Sequence, residues 1–356
     1  MNSSIYLITN ELRPRQIKIG LVCKALGYNV KLCIIGDSKK SFSGFESLTF
    51  SNATQFLLYT LKNPADYYYV LAVWDLSFPK ILINEGLGPL IFETYDLLGG
   101  CVNEKHPNFS EIILEDELYC VTNADYSLFR DYRLNLFEDY WSCKVTNGVI
   151  ILDGCLASKY AARKRTFNLK NLRFVYVGNL PNPTSKSPRN YHAEFAERIS
   201  SFNSTYDIYP LNLNTFYCWN EFLLAAGTKL LNLKVHKPIH YPSLLQVISS
   251  FDVGVDLLSI NGPRVDCNED FYTMQCSNNA SNNKIFDYID AGLQVITPKT
   301  SFNQNNFEKI EGVHFISSFS DIASSILPEV NNRNLPIDLT MDGLAKIVFS
   351  TLRKIS

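Results

Sequence analysis

The sequence predicts an α/β protein with two Rossmann-like domains, each built on a doubly wound parallel sheet. Three observations support this prediction: the chain length, the alternation of strand-like and helix-like segments, and the apolar character of the strands. At 356 residues the chain exceeds one compact core, so two domains of ordinary size are expected. Apolar runs that alternate with segments of helical periodicity are typical of parallel sheets covered by helices on both faces.

Taken in order, the elements begin with a strand, a helix and a second strand. The first helix is expected to bury one face, formed by Ile17, Leu21, Val22 and Ala25. The predicted strands lie near residues 5–9, 30–35, 68–74, 89–95, 149–152, 172–178, 206–211, 232–236, 253–258, 294–297 and 313–316.

The segment from Asn282 to Pro298 contains the most specific pattern: a polar loop, a short helix and a buried strand. A helix that begins at Asn283 or Lys284 presents unpaired backbone N–H groups and its positive dipole end to the loop, where an anion can bind. Lys284 adds a full positive charge there, Asp287 lies close to it on the helix, and Gly292 is expected to end the helix as a left-handed cap. The pattern suits a phosphate-bearing ligand, and equally an amphipathic helix that feeds a strand in any α/β domain.

The same segment resembles the nucleotide-sugar motif of GT-B glycosyltransferases, in particular family-4-like enzymes, whose pattern runs Asn-Lys-x-x-Glu-Tyr-x-x-x-Gly-x-Pro-Val-Ile. Asp287 stands where those enzymes carry Glu, and Gln294 where they carry Pro. Residues 241–258 resemble the helix and strand that precede the family's sugar-nucleotide loop. Residues 172–180 resemble the first strand of its nucleotide-binding domain, and the amino-terminal half resembles the family more faintly.

The resemblance implies the GT-B fold, in which two Rossmann-like domains face each other across a cleft. Residues 1–160 are expected to form the acceptor-side domain and residues 161–340 the nucleotide-sugar-binding domain. Residues 341–356 are expected to form a helix that returns to the amino-terminal domain, and Leu344, Ile347, Val348 and Leu352 share one of its faces.

By the same resemblance, a group of residues in the second domain is expected to bind the donor. Gly178 allows close backbone approach to the diphosphate, Lys284 compensates its charge, and Asp287 binds the ribose hydroxyls. Lys237 and His240 are expected beside the base, and Arg264 beside the diphosphate or the sugar. The full donor set is Gly178, Asn179, Lys237, His240, Arg264, Asn282, Asn283, Lys284 and Asp287.

An inverting transfer requires a group on the opposite domain that takes the proton of the acceptor hydroxyl. Asp96 is the first candidate and Glu93 the second, because residues 89–96 resemble the family strand that ends in an acid facing the cleft. A strand-end Asp also commonly caps a turn. Retaining members place a Glu where this chain has Asn279, so the stereochemistry stays open. GT-B enzymes generally need no divalent ion, and no Asp-x-Asp motif is evident, so neither a metal nor a cofactor is expected.

Composition excludes several other classes of protein. A formal net charge of −2 provides no basic footprint for nucleic acid, and no apolar run reaches the roughly 18 residues of a membrane span. Nine Cys without metal-ligand spacing indicate reduced thiols in the cytoplasm. The basic run at residues 159–165 is most often a solvated hinge, and otherwise a contact to donor phosphate or to anionic lipid at a membrane surface.

We therefore expect a metal-independent glycosyltransferase that moves a sugar from a nucleotide-sugar donor to a hydroxyl of a glycan, lipid-linked or other acceptor. Two alternatives stay open: a sugar-nucleotide epimerase of the same architecture, and a catalytically silent nucleotide-sugar-binding protein. The departures at Asn279 and Asp287 leave room for the silent protein.

Overall fold

The computed structural model describes residues 3–36, 42, 44–94, 110–130, 133–151, 153–155, 165–184, 190–239, 241, 243–257, 283–331, 333, 335 and 339–355. The chain divides into two compact units, Met1–Gly154 with Ile337–Ser356, and Cys155–Pro336. The expected domain boundaries, after residues 160 and 340, lie a few residues beyond these divisions.

The first unit contains a seven-stranded parallel sheet in the order β3-β2-β1-β4-β5-β6-β7. Successive strands run outward from β1 in one direction and from β4 in the other, so the topological switch point lies between β1 and β4. Every residue of β4 is buried, as expected for a parallel strand covered on both faces. The strands are β1 (Ser4–Thr9), β2 (Asn29–Ile35), β3 (Glu46–Phe50), β4 (Tyr67–Ala72), β5 (Leu90–Thr94), β6 (Tyr126–Arg130) and β7 (Gly148–Ile151).

The described helices between these strands are α1 (Pro14–Ala25), α2 (Ala53–Thr60), α3 (Ser77–Asn84), α4 (Glu111–Asn123) and α5 (Arg133–Trp141). Asn52 caps α2 because its side chain accepts the backbone N–H of Gln55 at 3.0 Å. The buried face expected for α1 is confirmed in part, because Ile17 and Val22 are buried but Ala25 is exposed. Arg15 and Lys18 are buried as well, because Arg15 bonds to two buried carboxylates and Lys18 donates to the carbonyl of Gly154 at 3.2 Å.

The second unit contains a six-stranded parallel sheet in the order β11-β10-β9-β12-β13-β14, beside an antiparallel pair of β8 and β15. Its core is rich in buried aromatic side chains, among them Phe174, Phe195, Tyr206 and Trp219. The strands are β8 (Arg165–Thr166), β9 (Arg173–Gly178), β10 (Thr205–Pro210), β11 (Leu233–Val235), β12 (Val253–Val255), β13 (Gln294–Pro298), β14 (Val313–Ile316) and β15 (Glu329–Val330). The described helices are α6 (His192–Ser200), α7 (Leu213–Ala226), α8 (Ser243–Ile248), α9 (Asn283–Asp290), α10 (Ser301–Phe307) and α11 (Ile322–Ser325).

The last helix, α12 (Met341–Ile355), belongs to the first unit and packs against α1. Leu344, Val348 and Leu352 are buried, so the apolar face expected from the sequence is the face that packs. None of the helices in the described ranges is long and apolar enough to cross a membrane.

The predicted fold class, two doubly wound parallel sheets, is confirmed, but four strands were not anticipated. β3 is an edge strand whose residues are exposed or half-buried, so it lacks the apolar run of a central strand. β6 includes Ser127, whose hydroxyl donates to the carbonyl of Val121 at 2.7 Å, which satisfies a polar group inside the core. β8 and β15 have two residues each, too few for a periodic signal.

Candidate functional site

The switch point of the second sheet lies between β9 and β12, which are neighbours in the sheet but not in the chain. β9 ends at Gly178 and β12 at Val255, so Asn179 and Asp256 begin the two loops at this edge. Open α/β sheets bind ligands outside the carboxyl ends of their strands at the switch point. This edge is therefore the candidate ligand site of the second unit.

The phenol of Tyr288 joins the two strands at the switch point. The backbone N–H of Val177 donates to the Tyr288 hydroxyl at 3.0 Å, and this hydroxyl donates to the carbonyl of Val255 at 3.1 Å. Gly254 makes room for the ring, because a Cβ at that position would lie 2.1 Å from Cγ of Tyr288. Tyr288, the Tyr of the sequence motif, is thus a buried residue whose hydroxyl links α9 to β9 and β12 by hydrogen bonds.

Lys284 reaches toward the end of β9 from the first turn of α9. Its Nζ lies 3.3 Å from the hydroxyl of Tyr176, 4.5 Å from the centre of the Tyr176 ring, and 3.7 Å from Oδ1 of Asp256. The side chain is 14% exposed. An aromatic face and a carboxylate therefore hold one cation near the surface, where the amino terminus of α9 adds a partial positive charge.

Gly178 contacts this lysine and has a backbone conformation that favours glycine. Its φ is 132°, and a Cβ would lie 3.3 Å from Cε and 3.7 Å from Nζ of Lys284. The Tyr176 hydroxyl donates to the carbonyl of Asn179 at 2.5 Å, so the phenol that contacts Lys284 also anchors the loop after Gly178. The structure thus brings Gly178, Asn179 and Lys284 together.

The structure describes three further residues of the expected donor set, Asn283, Asp287 and Lys237. Asn283 is the first residue of α9, and Asp287 lies one turn beyond it with only 6% of its surface exposed. Lys237 follows the edge strand β11, two strands from β9, which is roughly 10 Å from the switch point at ordinary strand spacing. The remaining expected site residues, His240, Arg264, Asn282 and Asp96, lie outside the described residues.

Gln294, which replaces the Pro of the family pattern, has a structural role. Its backbone N–H donates to the carbonyl of Asp252 at 3.0 Å, a bond that Pro cannot make. Its side-chain amide donates to the carbonyl of Leu327 and accepts the Leu327 N–H, at 2.8 and 2.9 Å. Its Oε1 also lies 2.7 Å from Nε2 of His314. The Gln294 side chain therefore connects β13 to Leu327 and to His314 through hydrogen bonds.

His192, which sequence reasoning missed, supports this edge from inside the core. The imidazole is fully buried, it packs edge to face on Tyr176 with 4.4 Å between ring centres, and its Nδ1 lies 2.7 Å from the Tyr206 hydroxyl. Burial lowers the pKa of His192 to about 3, and the charge of Lys284 acts in the same direction. The ring that contacts Lys284 on one side thus rests on a neutral imidazole. No local pattern in the sequence marks this histidine.

In the first unit, Glu93 is a buried ion-pair partner. Its fully buried carboxylate accepts hydrogen bonds from Arg15 and from the Tyr69 hydroxyl. Arg15 also donates to Oδ1 of Asp153 at 2.9 Å. Burial opposes the ionised form of Asp153, but the charges of Arg15 and Lys18 hold its pKa below the usual value. A carboxylate bonded on both oxygens inside a core cannot reach an acceptor hydroxyl, so the structure argues against Glu93 as the proton acceptor.

The switch point of the first sheet also has an unusual backbone, which the sequence does not reveal. Trp74, two residues after β4, has a φ of 59°, a left-handed conformation that is an outlier for a bulky residue. Asn10, directly after β1, binds the end of β4 through both sides of its amide, donating to the Val73 carbonyl at 2.7 Å and accepting the Val73 N–H at 2.9 Å. Strained residues of this kind cluster at functional sites.

Among the described residues, no three His, Cys, Asp or Glu side chains lie close enough together to hold a metal ion. The expectation that the reaction needs no metal stays a prediction.

Two doubly wound parallel sheets, with a final helix that belongs to the first unit, define the GT-B class of fold. Solved structures agree. A sucrose-phosphate synthase from Thermosynechococcus elongatus is 12% identical with a TM-score of 0.61, covering 99% of this chain and 95% of its own. The Anabaena protein HepE, solved in complex with UDP, is 12% identical with a TM-score of 0.57, covering 99% and 98%.

A UDP-GlcNAc 2-epimerase from Methanocaldococcus jannaschii, solved with UDP-GlcNAc and UDP, is 11% identical with a TM-score of 0.52, covering 99% of this chain and all of its own. No family model matches the sequence, and no curated protein sequence is significantly similar to it. The chain therefore has the GT-B fold, which it shares with these three proteins.

Proposed function

We propose that this protein is a metal-independent glycosyltransferase that takes its sugar from a nucleotide-sugar donor. The observation behind the proposal is Lys284, held against Gly178 at the switch point of the second sheet by Tyr176 and Asp256. A single cation at a helix amino terminus, next to a glycine that brings no side chain, suits a diphosphate.

The donor would lie along the carboxyl edge of the second sheet. Its diphosphate would contact the backbone at Gly178 and Asn179 and the ammonium of Lys284. Its ribose would reach Asp287, one turn further along α9, and its base would lie toward Lys237.

The transfer reaction itself would also require these residues, because they would stabilise the leaving diphosphate. When the sugar leaves, the bond between its anomeric carbon and the diphosphate oxygen breaks, and the acceptor oxygen forms a new bond to that carbon. Negative charge grows on the diphosphate, and Lys284 with the N–H groups of α9 would stabilise it. The acceptor proton goes to a base, for which Asp96 stays the first prediction.

A sugar-nucleotide epimerase is the second candidate, because the epimerase noted above has the same fold along its entire length. The two reactions require the same nucleotide site and differ in the acceptor. An epimerase changes a bound nucleotide sugar without any acceptor, whereas a transferase releases the nucleoside diphosphate only when a hydroxyl acceptor is present, apart from slow transfer to water.

Binding is the first experiment. UDP, GDP, ADP, TDP and their sugar derivatives are titrated into the protein by calorimetry in the presence of EDTA. Lys284→Ala is expected to raise the dissociation constant of the preferred nucleotide at least about tenfold, the amount expected from loss of one charge-assisted contact. Lys309→Ala is the matched control, because Lys309 is exposed and precedes β14 at the opposite edge of the sheet.

Turnover of the preferred nucleotide sugar then separates the reactions. Release of nucleoside diphosphate that depends on added glycan or lipid-linked acceptors supports the transferase, and a new nucleotide sugar by NMR without acceptor supports the epimerase. Equal nucleotide affinity in the wild type and Lys284→Ala would remove the site assignment, and no binding at millimolar concentration would favour the silent protein.

A further inference from the structure

Lys284, the cation of the candidate donor site, already has an acidic partner in the folded protein. Oδ1 of Asp256 lies 3.7 Å from Nζ of Lys284. The Lys284 side chain is 14% exposed and the Asp256 side chain 3% exposed, so water screens this pair of charges much less than it screens a pair at the surface. An anion that contacts Lys284 therefore also meets the charge of a carboxylate.

Asp256 is held in place from the side of β13. It follows β12 directly, and its backbone N–H donates to the carbonyl of Ile296 at 2.8 Å. Its Oδ2 lies 3.5 Å from the hydroxyl oxygen of Thr297, and the Asn303 amide donates to that hydroxyl at 2.9 Å. Thr297 and Asn303 are both buried. The carboxylate is therefore a fixed feature of the switch point.

Lys284 has further contacts that keep its ammonium group at this edge without Asp256. Its Nζ lies 3.3 Å from the Tyr176 hydroxyl and 4.5 Å from the centre of the Tyr176 ring, whose face attracts a cation. Its Cε would lie 3.3 Å from a Cβ at Gly178. Removal of the Asp256 charge should therefore leave the ammonium beside Gly178.

A diphosphate bonded to Lys284 would lie close to Asp256. A phosphate oxygen about 2.8 Å from Nζ lies at most about 6.5 Å from Oδ1 of Asp256, because Nζ and Oδ1 are 3.7 Å apart. This separation is shorter than the Debye length of about 8 Å at physiological salt. The carboxylate and the diphosphate therefore repel each other, and the single charge of Lys284 cannot neutralise both.

The strength of this repulsion differs between the donor and the product of a sugar transfer. The diphosphate of a nucleotide sugar has one ionisable proton on each phosphate. When the sugar leaves, the terminal phosphate can ionise a second time, with a pKa of about 6, so the released nucleoside diphosphate carries more negative charge at neutral pH. Lys284 attracts this additional charge, and Asp256 offsets the attraction.

We propose that Asp256 weakens the binding of the released nucleoside diphosphate more than the binding of the nucleotide-sugar donor, and so speeds product release. This inference rests on the glycosyltransferase function proposed above. After the diphosphate leaves, Lys284 pairs with Asp256 again, so its charge is not left without a partner where little water reaches it. Product release limits turnover in many enzymes.

Calorimetry at pH 7.5 with EDTA tests the inference, with whichever of UDP, GDP, ADP and TDP binds the wild type and with its sugar derivative. Asp256→Asn is expected to lower the dissociation constant of the nucleoside diphosphate at least about tenfold, and that of the nucleotide sugar by a smaller factor. Asp252→Asn is the matched control, because Asp252 precedes β12 at the opposite end of the strand. It should leave both dissociation constants within about twofold of the wild type.

Stopped-flow fluorescence measures release directly, when excess unlabelled nucleoside diphosphate displaces its N-methylanthraniloyl derivative. The dissociation rate should fall about tenfold in Asp256→Asn, because changes of affinity within one site act mainly on dissociation. Asp256→Ser removes the same charge and should act in the same direction. Circular dichroism and thermal melting identify the folded variants, and Asp256→Ser carries the test if Asp256→Asn does not fold.

Three results would overturn the inference: unchanged affinities in the variants that lack the charge, equal tightening of product and donor, or weaker binding of both. The last result would make Asp256 a residue that positions Lys284. If Lys284→Ala still lowers nucleotide affinity, each of these results leaves the donor site assigned and removes only the role of Asp256. A wild type that binds none of the nucleotides would overturn the donor site and this inference together.

Discussion

Acid should weaken the second unit through His192. In the folded protein the imidazole is buried and its pKa is lowered to about 3, whereas in the unfolded chain it returns to about 6.5. Between these two values the unfolded chain binds a proton that the folded protein does not bind. Stability is therefore fully present above about pH 6.5 and falls as the pH drops toward 3.

The size of the effect follows from the two pKa values. At pH 5 about 97% of unfolded chains carry the proton on this histidine, and linkage gives a loss of about 2 kcal/mol relative to pH 7.5. This is a large share of the roughly 5–15 kcal/mol of an ordinary domain. Burial, together with the charge of Arg333, also lowers the pKa of half-buried His314, to about 4, so this residue adds a loss of the same sign.

Urea unfolding at pH 7.5 and pH 5.0 measures the effect when fluorescence reports the second unit alone. Trp219 lies in that unit, and replacing Trp74 and Trp141 by Phe removes the other tryptophans. In this background the stability lost between the two pH values should be about 2 kcal/mol smaller for His192→Gln than for the parent.

The control is Ile208→Val, a buried substitution without a titrating group. It should lower the free energy of unfolding by about 1 kcal/mol equally at both pH values. The same pH dependence for the parent and His192→Gln would refute the reasoning. So would an NMR titration of the native protein with the His192 midpoint near 6.5, a measurement that does not depend on the variant's stability.

Three substitutions test the packing of the site by urea unfolding. Gly254→Ala forces a Cβ into the ring of Tyr288 and should lower the free energy of unfolding by about 1–3 kcal/mol; an unchanged midpoint would mean that the ring moves freely. Tyr288→Phe removes both bonds of its hydroxyl to β9 and β12 and should lose about 1–3 kcal/mol; a neutral effect would show that these backbone groups find other partners. Gln294→Pro introduces the Pro of the glycosyltransferase pattern but removes the N–H bond to Asp252 and the side-chain bonds to Leu327, so it should destabilise the unit by about 3 kcal/mol; a stabilised variant would contradict the role assigned to Gln294.

Sequence reasoning predicted which elements form part of the candidate donor site. The start of α9 at Asn283 and its left-handed end at Gly292, with a φ of 76°, are both observed. Lys284 and Gly178, more than a hundred residues apart in sequence, also come together. The resemblance to glycosyltransferase motifs had placed both residues at one diphosphate, and they meet because strand ends and helix starts lie together at the switch point of a doubly wound sheet.

The charged groups of the first unit show where sequence reasoning stopped. Glu93 had the chain position of a strand-end acid facing a ligand, but 78 residues separate it from Arg15, which holds it inside the core. Asp153, the second partner of Arg15, lies 138 residues from it in the chain. No periodicity in the chain records such a pairing, because the partners are chosen by the packing of α1 against the sheet.

By itself the sequence determined the alternation of apolar strands and helices, and hence two doubly wound sheets, because burial on both faces requires continuous apolar runs that are visible residue by residue. The resemblance to glycosyltransferase motifs added the expectation that Lys284 at a helix start and Gly178 at a strand end serve one diphosphate. Only the tertiary structure decided which charged side chains form ion pairs inside the core, which aromatic ring contacts Lys284, and which apolar side chains of α7 stay exposed. Those outcomes depend on contacts between distant segments, whose energies exist only after the chain has folded.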